Sequence, residues 1–321
     1  MRPELFRVFD IAFPAYFLLL LSGFLFATAA GALWARRIGK DPDVVVDLGL
    51  ACLLMGVVGA RLLHVIADGY FWDYVHLCTD PSKVDWHYDE VACSRQVRDA
   101  FACGGPLHAV GTWDAARKVC HPANTDCFAW AKFWAGGLTY YGGFIGASLM
   151  AVFLLRRDRF PFWKAADMAG FAIPIGLGFG RMGCLLAGCC YGLRSDHAMA
   201  LSFPGHSPAS EAQFKAGQLA SAAERSFGVL PTQVFESAMS LGIAAFCLLW
   251  LHGRKRYDGQ VFVAFLALYA AGRFVLEWFR DDDRGGLLWL STSQLIGVAV
   301  IGIAAAIHVR RRHAAAAAAI A

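Results

Sequence analysis

Long apolar blocks, separated by shorter polar segments, dominate the hydropathy pattern of the chain. Seven of them approach the roughly twenty residues that a helix needs to cross about 30 Å of hydrocarbon. They cover residues 12–34, 46–67, 137–155, 165–186, 230–251, 260–279 and 288–308. Only helices or closed barrels satisfy their backbone hydrogen bonds in lipid. The pattern therefore predicts an all-α polytopic membrane protein with about seven transmembrane helices.

The composition agrees with a membrane location. The 321 residues are 58% hydrophobic and only 17% charged, and their mean hydropathy is +0.48. A soluble domain carries about a quarter charged residues. Basic loops between the blocks account for the net charge of +4, so nothing in the composition indicates a nucleic-acid partner.

The distribution of basic residues predicts the orientation. They follow every second block, at Arg36, Arg37, Lys40, Arg156, Arg157, Arg159, Lys164, Arg254, Lys255, Arg256, Arg310, Arg311 and Arg312. Short basic loops remain on the cytoplasmic side, which places the N-terminus outside and the C-terminus in the cytoplasm. The first block is similar to a signal peptide. However, Glu4 and Asp10 precede it and its positive charge follows it, so we predict an uncleaved span.

Two long polar stretches, residues 68–135 and 187–229, fall on the outer side. The first contains Cys78, Cys93, Cys103, Cys120 and Cys127. Cysteines outside a membrane favour disulfides, and no Cys-x-x-Cys pair supports the rival interpretation of a metal site. We predict a Cys-rich periplasmic cap at 68–135 and a second periplasmic loop at 187–229.

Several charged side chains lie within the apolar blocks, near their outer ends. Arg181 is in the fourth block, Arg61 in the second and Arg273 in the sixth. Arg273 and Glu277 are four residues apart, so they share a helix face and can pair. A single arginine at this depth often snorkels to the interface. Three guanidinium groups nevertheless exceed the two carboxylates, Glu277 and Glu236.

This excess of positive charge predicts an anionic ligand. Arginine binds phosphate through two parallel hydrogen bonds, so the natural candidate is a phosphate-headed lipid that enters from the outer leaflet. Glycines allow close helix packing or an unwound backbone near a ligand. The candidate lining residues at the same depth are Tyr16, Tyr141, Gln233, Glu236, Gly183, Gly188 and Gly192.

Several motifs in order along the chain resemble those of the prolipoprotein diacylglyceryl transferases. The family signature is close to Gly-Arg-x-Gly-Asn-x-x-Asn-Gly-Glu-x-x-Gly, and residues 180–192 read GRMGCLLAGCCYG. The similarity extends to GGLTYYGGFIGA, LPTQVFE, GRFVLEWFRDDD and Gln294 in STSQLIG. It covers nearly all seven blocks, with residues 68–135 as the main additional segment.

The resemblance implies one membrane-embedded transferase domain over residues 1–321, in the bacterial plasma (inner) membrane, with its active site toward the periplasmic leaflet. Such enzymes move the diacylglyceryl group of phosphatidylglycerol to the lipobox cysteine thiol of a preprolipoprotein. A thioether forms and glycerol phosphate leaves. No cofactor and no metal is expected.

The resemblance also implies roles for individual residues. Arg273, Tyr141 and Glu277 would be catalytic: Arg273 would stabilise the leaving phosphate or lower the pKa of the acceptor thiol, and Glu277 would orient Arg273. The remaining candidates would bind substrate, namely Arg181, Tyr16, Arg61, Gly183, Gly188, Gly192, Gln233 and Glu236.

The chain departs from the family pattern at several polar positions. Tyr141 replaces a histidine before Gly-Gly, Cys184 and Ala187 replace the two asparagines, and Cys189 replaces the glutamate. Cys189 and Cys190 are expected to form a disulfide with the outer loop. Two alternatives stay open: a paralogue with another acceptor or thiol-exchange chemistry, and a lipid or anion transporter. The absence of matched inverted halves argues against the transporter.

Overall fold

Helices make up most of the computed structural model, which describes residues 4–8, 11–86, 93, 111–133, 137–281, 286–287 and 290–320. The α-helices are α1 Ala15–Arg37, α2 Pro42–Ala67, α3 Phe71–Thr79, α4 Tyr140–Arg157, α5 Phe162–Ala187, α6 Pro208–Lys215, α7 Thr232–Ala245, α8 Gln260–Leu276 and α9 Thr292–Ile320. The strands form three two-stranded antiparallel pairs: β1 Glu4–Val8 with β2 Ile11–Pro14, β3 Gly111–Asp114 with β4 Val119–Pro122, and β5 Gly286–Leu287 with β6 Leu290–Ser291.

Six helices of the described chain are long and apolar enough to cross a membrane. They are Ala15–Arg37, Pro42–Ala67, Phe162–Ala187, Thr232–Arg254, Gln260–Phe279 and Thr292–Ala317. The prediction of an all-α polytopic membrane protein is confirmed. The third predicted span forms the 18-residue helix α4 but is not among the six, because tyrosines at its start and arginines at its end shorten its apolar part. The orientation of the helices stays a prediction.

The chain divides into two compact units, and each is described by itself. Unit 1 comprises Met1–Val46 and Arg159–Ala321, and unit 2 comprises Asp47–Asp158. Helix α2 begins in unit 1 and continues into unit 2. The assignment of residues 1–321 to a single domain stays a prediction.

Helix α5 is the centre of unit 1, and its small residues explain how other helices approach it. A Cβ atom at Gly170 would lie 2.8 Å from the Phe262 backbone in α8, and one at Gly178 would lie 2.6 Å from Leu241 in α7. Gly23 of α1 meets Phe179 in the same way, at 2.6 Å. The close approach requires glycine at these positions, and α5 therefore packs along its length against three other helices.

The segment between α5 and α7 folds over a small core of its own. Phe203, Ala209 and Val229 are fully buried there, and a capping box between Ser207 and Ser210 begins α6. This segment corresponds to the predicted second outer loop. This segment follows directly after the last residue of α5, Ala187.

Unit 2 combines α2, α3, α4 and the β3–β4 hairpin. A Cβ atom at Gly142 of α4 would lie 2.2 Å from the Gly59 carbonyl oxygen of α2, so these two helices pack backbone against backbone. Disulfides join Cys78 to Cys127 and Cys93 to Cys120. The prediction of disulfides in the outer stretch is confirmed for these four cysteines, whereas Cys103 lies outside the described residues.

Candidate functional site

The end of α5 turns back on itself and so brings its last residues together. Gly188 caps the helix with φ +76°, and Cys190 also has a positive φ of 60°. The Cys189 amide donates to the Cys184 carbonyl oxygen at 3.1 Å. Residues in the left-handed region reverse the chain direction. The chain therefore changes direction at Gly188, which is one of the predicted lining residues.

Side chains from the start of α7 hold the turn in place. Thr232 Oγ1 donates to the Cys190 carbonyl oxygen at 2.9 Å, and Gln233 Nε2 donates to the Cys189 carbonyl oxygen at 2.8 Å. Gln233 is 1% exposed, and its Oε1 has no hydrogen-bond partner among the described residues. Gln233 therefore positions the turn and leaves one buried acceptor toward the site.

A buried carboxylate joins three helices beside this turn. Arg181 Nε lies 3.1 Å from Glu236 Oε1, and the Tyr269 hydroxyl donates to the same oxygen at 3.0 Å. Arg280 Nη1 lies 3.8 Å from Glu236 Oε2. Glu236 is 1% exposed. Because a buried charge needs a partner, these contacts make Glu236 the acceptor around which two arginines are arranged.

A second ion pair lies on α8 and its continuation. Arg273 Nη2 is 2.8 Å from Glu277 Oε2, which confirms the predicted pairing at i, i+4. Ser291 Oγ donates to Glu277 Oε1 at 2.8 Å. Arg273 Nη1 is buried without a hydrogen-bond partner among the described residues. Tyr269 is in electrostatic contact with both Arg181 and Arg273 and so links the two ion pairs.

The arginines of these ion pairs outnumber the carboxylates that they contact. We define the charged cluster as Arg181, Arg273, Arg280, Glu236 and Glu277. It has three guanidinium groups and two carboxylates. Such a group, within or next to the apolar helices, is complementary to an anion. A cavity of about 190 Å³ reaches it, lined by Cys190, Tyr191, Arg280 and Asp281.

The predicted lining residues of unit 1 meet the same helix end. Tyr16, at the start of α1, covers Gly183: a Cβ atom there would lie 2.8 Å from Tyr16 Cδ2. A Cβ atom at Gly192 would lie 2.3 Å from the Phe279 carbonyl oxygen. Gly192 also pairs with Arg280 in an isolated antiparallel bridge. These glycines are needed where the backbone approaches its neighbours closely.

Three thiols lie at the same place. The sulfur atoms of Cys184, Cys189 and Cys190 lie within 4.8 Å of one another, and none of the three is in a disulfide. The expected disulfide from Cys189 and Cys190 to the outer loop is wrong, because the loop cysteines that the structure describes pair with each other. Hydrogen bonds with Cys184 and Cys189 lower the pKa of the Cys190 thiol, and Arg181 and Arg280 lower it further, against the effect of burial.

The remaining predicted residues, Arg61 and Tyr141, belong to unit 2. Arg61 is 6% exposed and donates to three backbone carbonyl oxygens, those of Trp130 at 2.7 Å, Gly137 at 3.1 Å and Ala129 at 2.6 Å. These contacts favour a structural role, and its headgroup role stays a prediction. Tyr141 is 59% exposed in the first turn of α4, and its catalytic role likewise stays a prediction.

Two members of the site were missed in the sequence. Tyr269 precedes Arg273 by four residues, so the spacing that predicted the Arg273–Glu277 pair also places Tyr269 on that face. Arg280 ends the same motif, but an arginine at a helix end usually snorkels to the interface. Only the buried Glu236 of another helix distinguishes Arg280 from such a residue.

Together, the apolar helices and the charged cluster define a class: a polytopic membrane protein with an anion-complementary site at the end of its spans. A model of the family described as "Prolipoprotein diacylglyceryl transferase" matches residues 3–84 and 117–310. The chain belongs to this family, and the predicted class of membrane transferase is confirmed. The unmatched residues 85–116 lie within the predicted insertion at 68–135.

Bacterial relatives agree over most of the length. The phosphatidylglycerol–prolipoprotein diacylglyceryl transferase 2 of Clostridium perfringens is 24% identical over 301 residues, which are 94% of this chain and 92% of the relative. The Chromohalobacter salexigens enzyme of that name is 27% identical over 92% of this chain and 88% of its own. The Xanthomonas campestris enzyme is 33% identical, over 54% of this chain and 60% of its own. These relatives favour the transferase over the transporter and thiol-exchange alternatives.

Proposed function

We propose that this protein transfers the diacylglyceryl group of phosphatidylglycerol to the lipobox cysteine thiol of preprolipoproteins, at the periplasmic face of the bacterial inner membrane. The observation that carries the proposal is the meeting of Arg181, Arg273 and Arg280 at two carboxylates, beside a cavity that Arg280 lines. Phosphatidylglycerol supplies the phosphate that this charge fits. Family membership and the names of the relatives support the choice of substrates.

The chemistry explains why arginines are needed. The acceptor sulfur attacks the glyceryl carbon, a carbon–sulfur bond forms and the carbon–oxygen bond to phosphate breaks. The electron pair stays on the phosphate oxygen, so glycerol phosphate leaves with added negative charge, and the thiol proton passes to solvent or to the released phosphate. Positive groups fixed in advance near that oxygen lower the barrier most.

The geometry suggests distinct roles for the two arginines. Arg181 approaches Glu236 through Nε, and a guanidinium group can bind a phosphate through two parallel hydrogen bonds. Arg273 keeps a buried Nη1 without a partner among the described residues, which suits it to the charge that develops on the leaving phosphate. Glu277, held by Ser291, fixes the direction of Arg273. From its sequence position alone, Tyr141 would take the place of the family histidine as a hydrogen-bond donor.

The test is a transfer assay on the purified full-length protein in phosphatidylglycerol micelles. A lipobox peptide should gain the mass of one diacylglyceryl group. Arg181→Gln and Arg273→Gln should each lower the rate at least about 100-fold, as does loss of one donor to a developing oxyanion. Arg225→Gln, at an exposed arginine of unit 1, is the matched control and should keep the full rate. Unchanged rates in both folded site variants would reject the proposal.

A further inference from the structure

Cys184, Cys189 and Cys190 form a cluster of sulfur atoms that the transfer reaction does not use. All three sulfur atoms lie within 4.8 Å of one another, with Cys184 buried and the other two half-buried. Among the residues that the structure describes, no other group of three or more His, Cys, Asp or Glu side chains comes this close in a metal-binding arrangement. We call these residues the thiol cluster.

The backbone brings these sulfur atoms together before any ligand arrives. Gly188 and Cys190 both have positive φ, which folds the chain back toward Cys184 one turn earlier in α5. Thr232 and Gln233 then fasten the Cys190 and Cys189 carbonyl oxygens. A ligand set held by second-layer hydrogen bonds is the arrangement that metal sites require.

Disulfide bonding does not account for the cluster. Adjacent Cα atoms are about 3.8 Å apart across a trans peptide, whereas disulfides usually span at least about 4.4 Å. A bond between Cys189 and Cys190 would therefore strain the chain. A bond from Cys184 to either of them would leave a third thiol beside it. One cation, by contrast, uses all three sulfur atoms.

The donor set and the surrounding charge indicate which kind of cation fits. Thiolates select soft d10 ions such as Zn²⁺ and Cu⁺. With metal–sulfur bonds of about 2.3 Å, three ligands around one ion stand roughly 4 Å apart, which the observed separations allow. Three thiolates around a divalent ion carry one net negative charge. Arg280, which lines the same cavity as Cys190, and Arg181, three residues before Cys184 on α5, offset it.

We propose that Cys184, Cys189 and Cys190 bind one thiophilic d10 cation through three sulfur ligands. The cavity that Cys190 lines with Tyr191, Arg280 and Asp281 gives the ion its path of entry and leaves a fourth coordination position for an exchangeable ligand. Zinc sites with three protein ligands keep such an open position. The two proposals share Arg181, Arg280 and this cavity, but occupancy of the thiol cluster is measured without the transfer assay, so each proposal can fail separately.

The experiment measures bound metal on full-length protein in detergent, after treatment with a chelator and without reductant, so that the disulfides of unit 2 stay intact. Separate samples receive Zn²⁺, Cu⁺ or Cd²⁺, the last as a spectroscopic probe. We expect one retained ion per chain and a sulfur-to-cadmium charge-transfer band. Cys184→Ser, Cys189→Ser and Cys190→Ser should each weaken binding at least tenfold. Cys247→Ser and Cys52→Ser, at thiols outside the cluster, should not change it.

A readout on the unmodified protein keeps the test decisive if a serine variant does not fold. Bound Zn²⁺ should slow alkylation of Cys189 and Cys190 by iodoacetamide, measured by peptide mass spectrometry, and should leave Cys247 unaffected. The proposal is overturned if the wild type retains no ion, or if the ion persists when all three thiols are replaced. A disulfide between two members of the cluster in the freshly purified protein would also overturn it.

Discussion

Two buried arginines, Arg61 of unit 2 and Arg280 of unit 1, have different kinds of partners. Arg61 of unit 2 donates to three backbone carbonyl oxygens, so neutral groups of its own unit take up much of its hydrogen-bonding capacity. Arg181 of unit 1 approaches Glu236, and Arg280 approaches the same carboxylate. Burial alone therefore does not mark an arginine as functional. The distinguishing feature is that charged side chains from separate elements meet at one carboxylate.

The cysteines of the two units show a similar contrast. In unit 2, Cys78 pairs with Cys127 and Cys93 with Cys120, which fastens the outer stretch. In unit 1, three cysteines converge at the charged cluster and form no disulfide. The first arrangement is typical of structural bonds in an oxidising compartment. The second keeps sulfur available beside a site of positive charge.

The largest effect should come from the carboxylate that organises the charged cluster. Glu236→Gln removes the charge that faces Arg181 and Arg280, and loss of one partner from a buried ionic group costs about 3 kcal/mol or more. We expect a lower free energy of unfolding, seen as a lower melting temperature in detergent, together with loss of transfer activity. The exposed Glu211→Gln in α6 is the control. Equal stability of the two variants would show that Glu236 does not hold the cluster.

Arg61→Met should lower the stability of the protein nearly as much as Glu236→Gln does, but it should have little effect on the rate of transfer. It keeps an apolar stem and leaves the carbonyl oxygens of Trp130, Gly137 and Ala129 without their donor, which lowers the free energy of unfolding by about 3 kcal/mol. The specific activity of the folded fraction should stay within about threefold of wild type. If folded protein instead loses its activity, Arg61 acts on substrate as the family resemblance implies, and the contrast with Arg181 disappears.

Gly183→Ala should have a moderate effect that is confined to the site. The added Cβ atom would lie 2.8 Å from Tyr16 Cδ2 and 3.2 Å from Tyr16 Cα, so α1 must shift away from the charged cluster. We expect about a tenfold higher KM for phosphatidylglycerol, equivalent to about 1.4 kcal/mol.

The matched control for this variant is Gly176→Ala, two turns earlier in the same helix. Its added Cβ atom meets nothing within 4 Å among the described residues, so KM should not change. If both variants raise KM alike, helix packing in general, and not the contact with Tyr16, controls lipid binding.

The sequence predicted the helices, one ion pair and the common depth of charged residues on separate helices, but not which side chains pair between helices. The block at 165–186 and α5 at Phe162–Ala187 nearly coincide, because a span needs a long apolar run whatever its neighbours are. The Arg273–Glu277 pair follows from spacing on one helix. Glu236 lies in α7 and Arg280 follows the last helical turn after α8, and their contact depends on packing that no local pattern encodes.

The thiol cluster and the partners of Arg61 were hidden for related reasons. The cluster depends on Cys190 adopting a positive φ, a conformation that is uncommon outside glycine, so its sequence spacing alone gave no sign of it. Arg61 contacts backbone carbonyl oxygens at residues 129, 130 and 137. Every residue has a backbone carbonyl oxygen, so the amino-acid sequence does not indicate which ones Arg61 contacts.

The smallest expected effect depends on pH and concerns a hydrogen bond to the carboxylate of Asp68, directly after α2 in unit 2. Thr139 Oγ1 donates to Asp68 Oδ2 at 2.6 Å, and this hydrogen bond, followed by one from His64, lowers the pKa of Asp68 below its ordinary value of 3.8. Because the pKa is lowered in the folded protein, the contact stabilises the folded state at pH values above the ordinary pKa of Asp68. That stabilisation is lost as the pH falls through the lowered pKa. Thr139→Val should therefore lower the melting temperature slightly at pH 6, and the difference from wild type should shrink toward pH 3.

The control is Thr79→Val, which removes a hydroxyl that donates to the Val75 carbonyl oxygen. This acceptor does not titrate, so the effect of the substitution should be the same at both pH values. If both differences respond alike to pH, the Asp68 contact contributes nothing, and unit 2 lacks even this small dependence on charge.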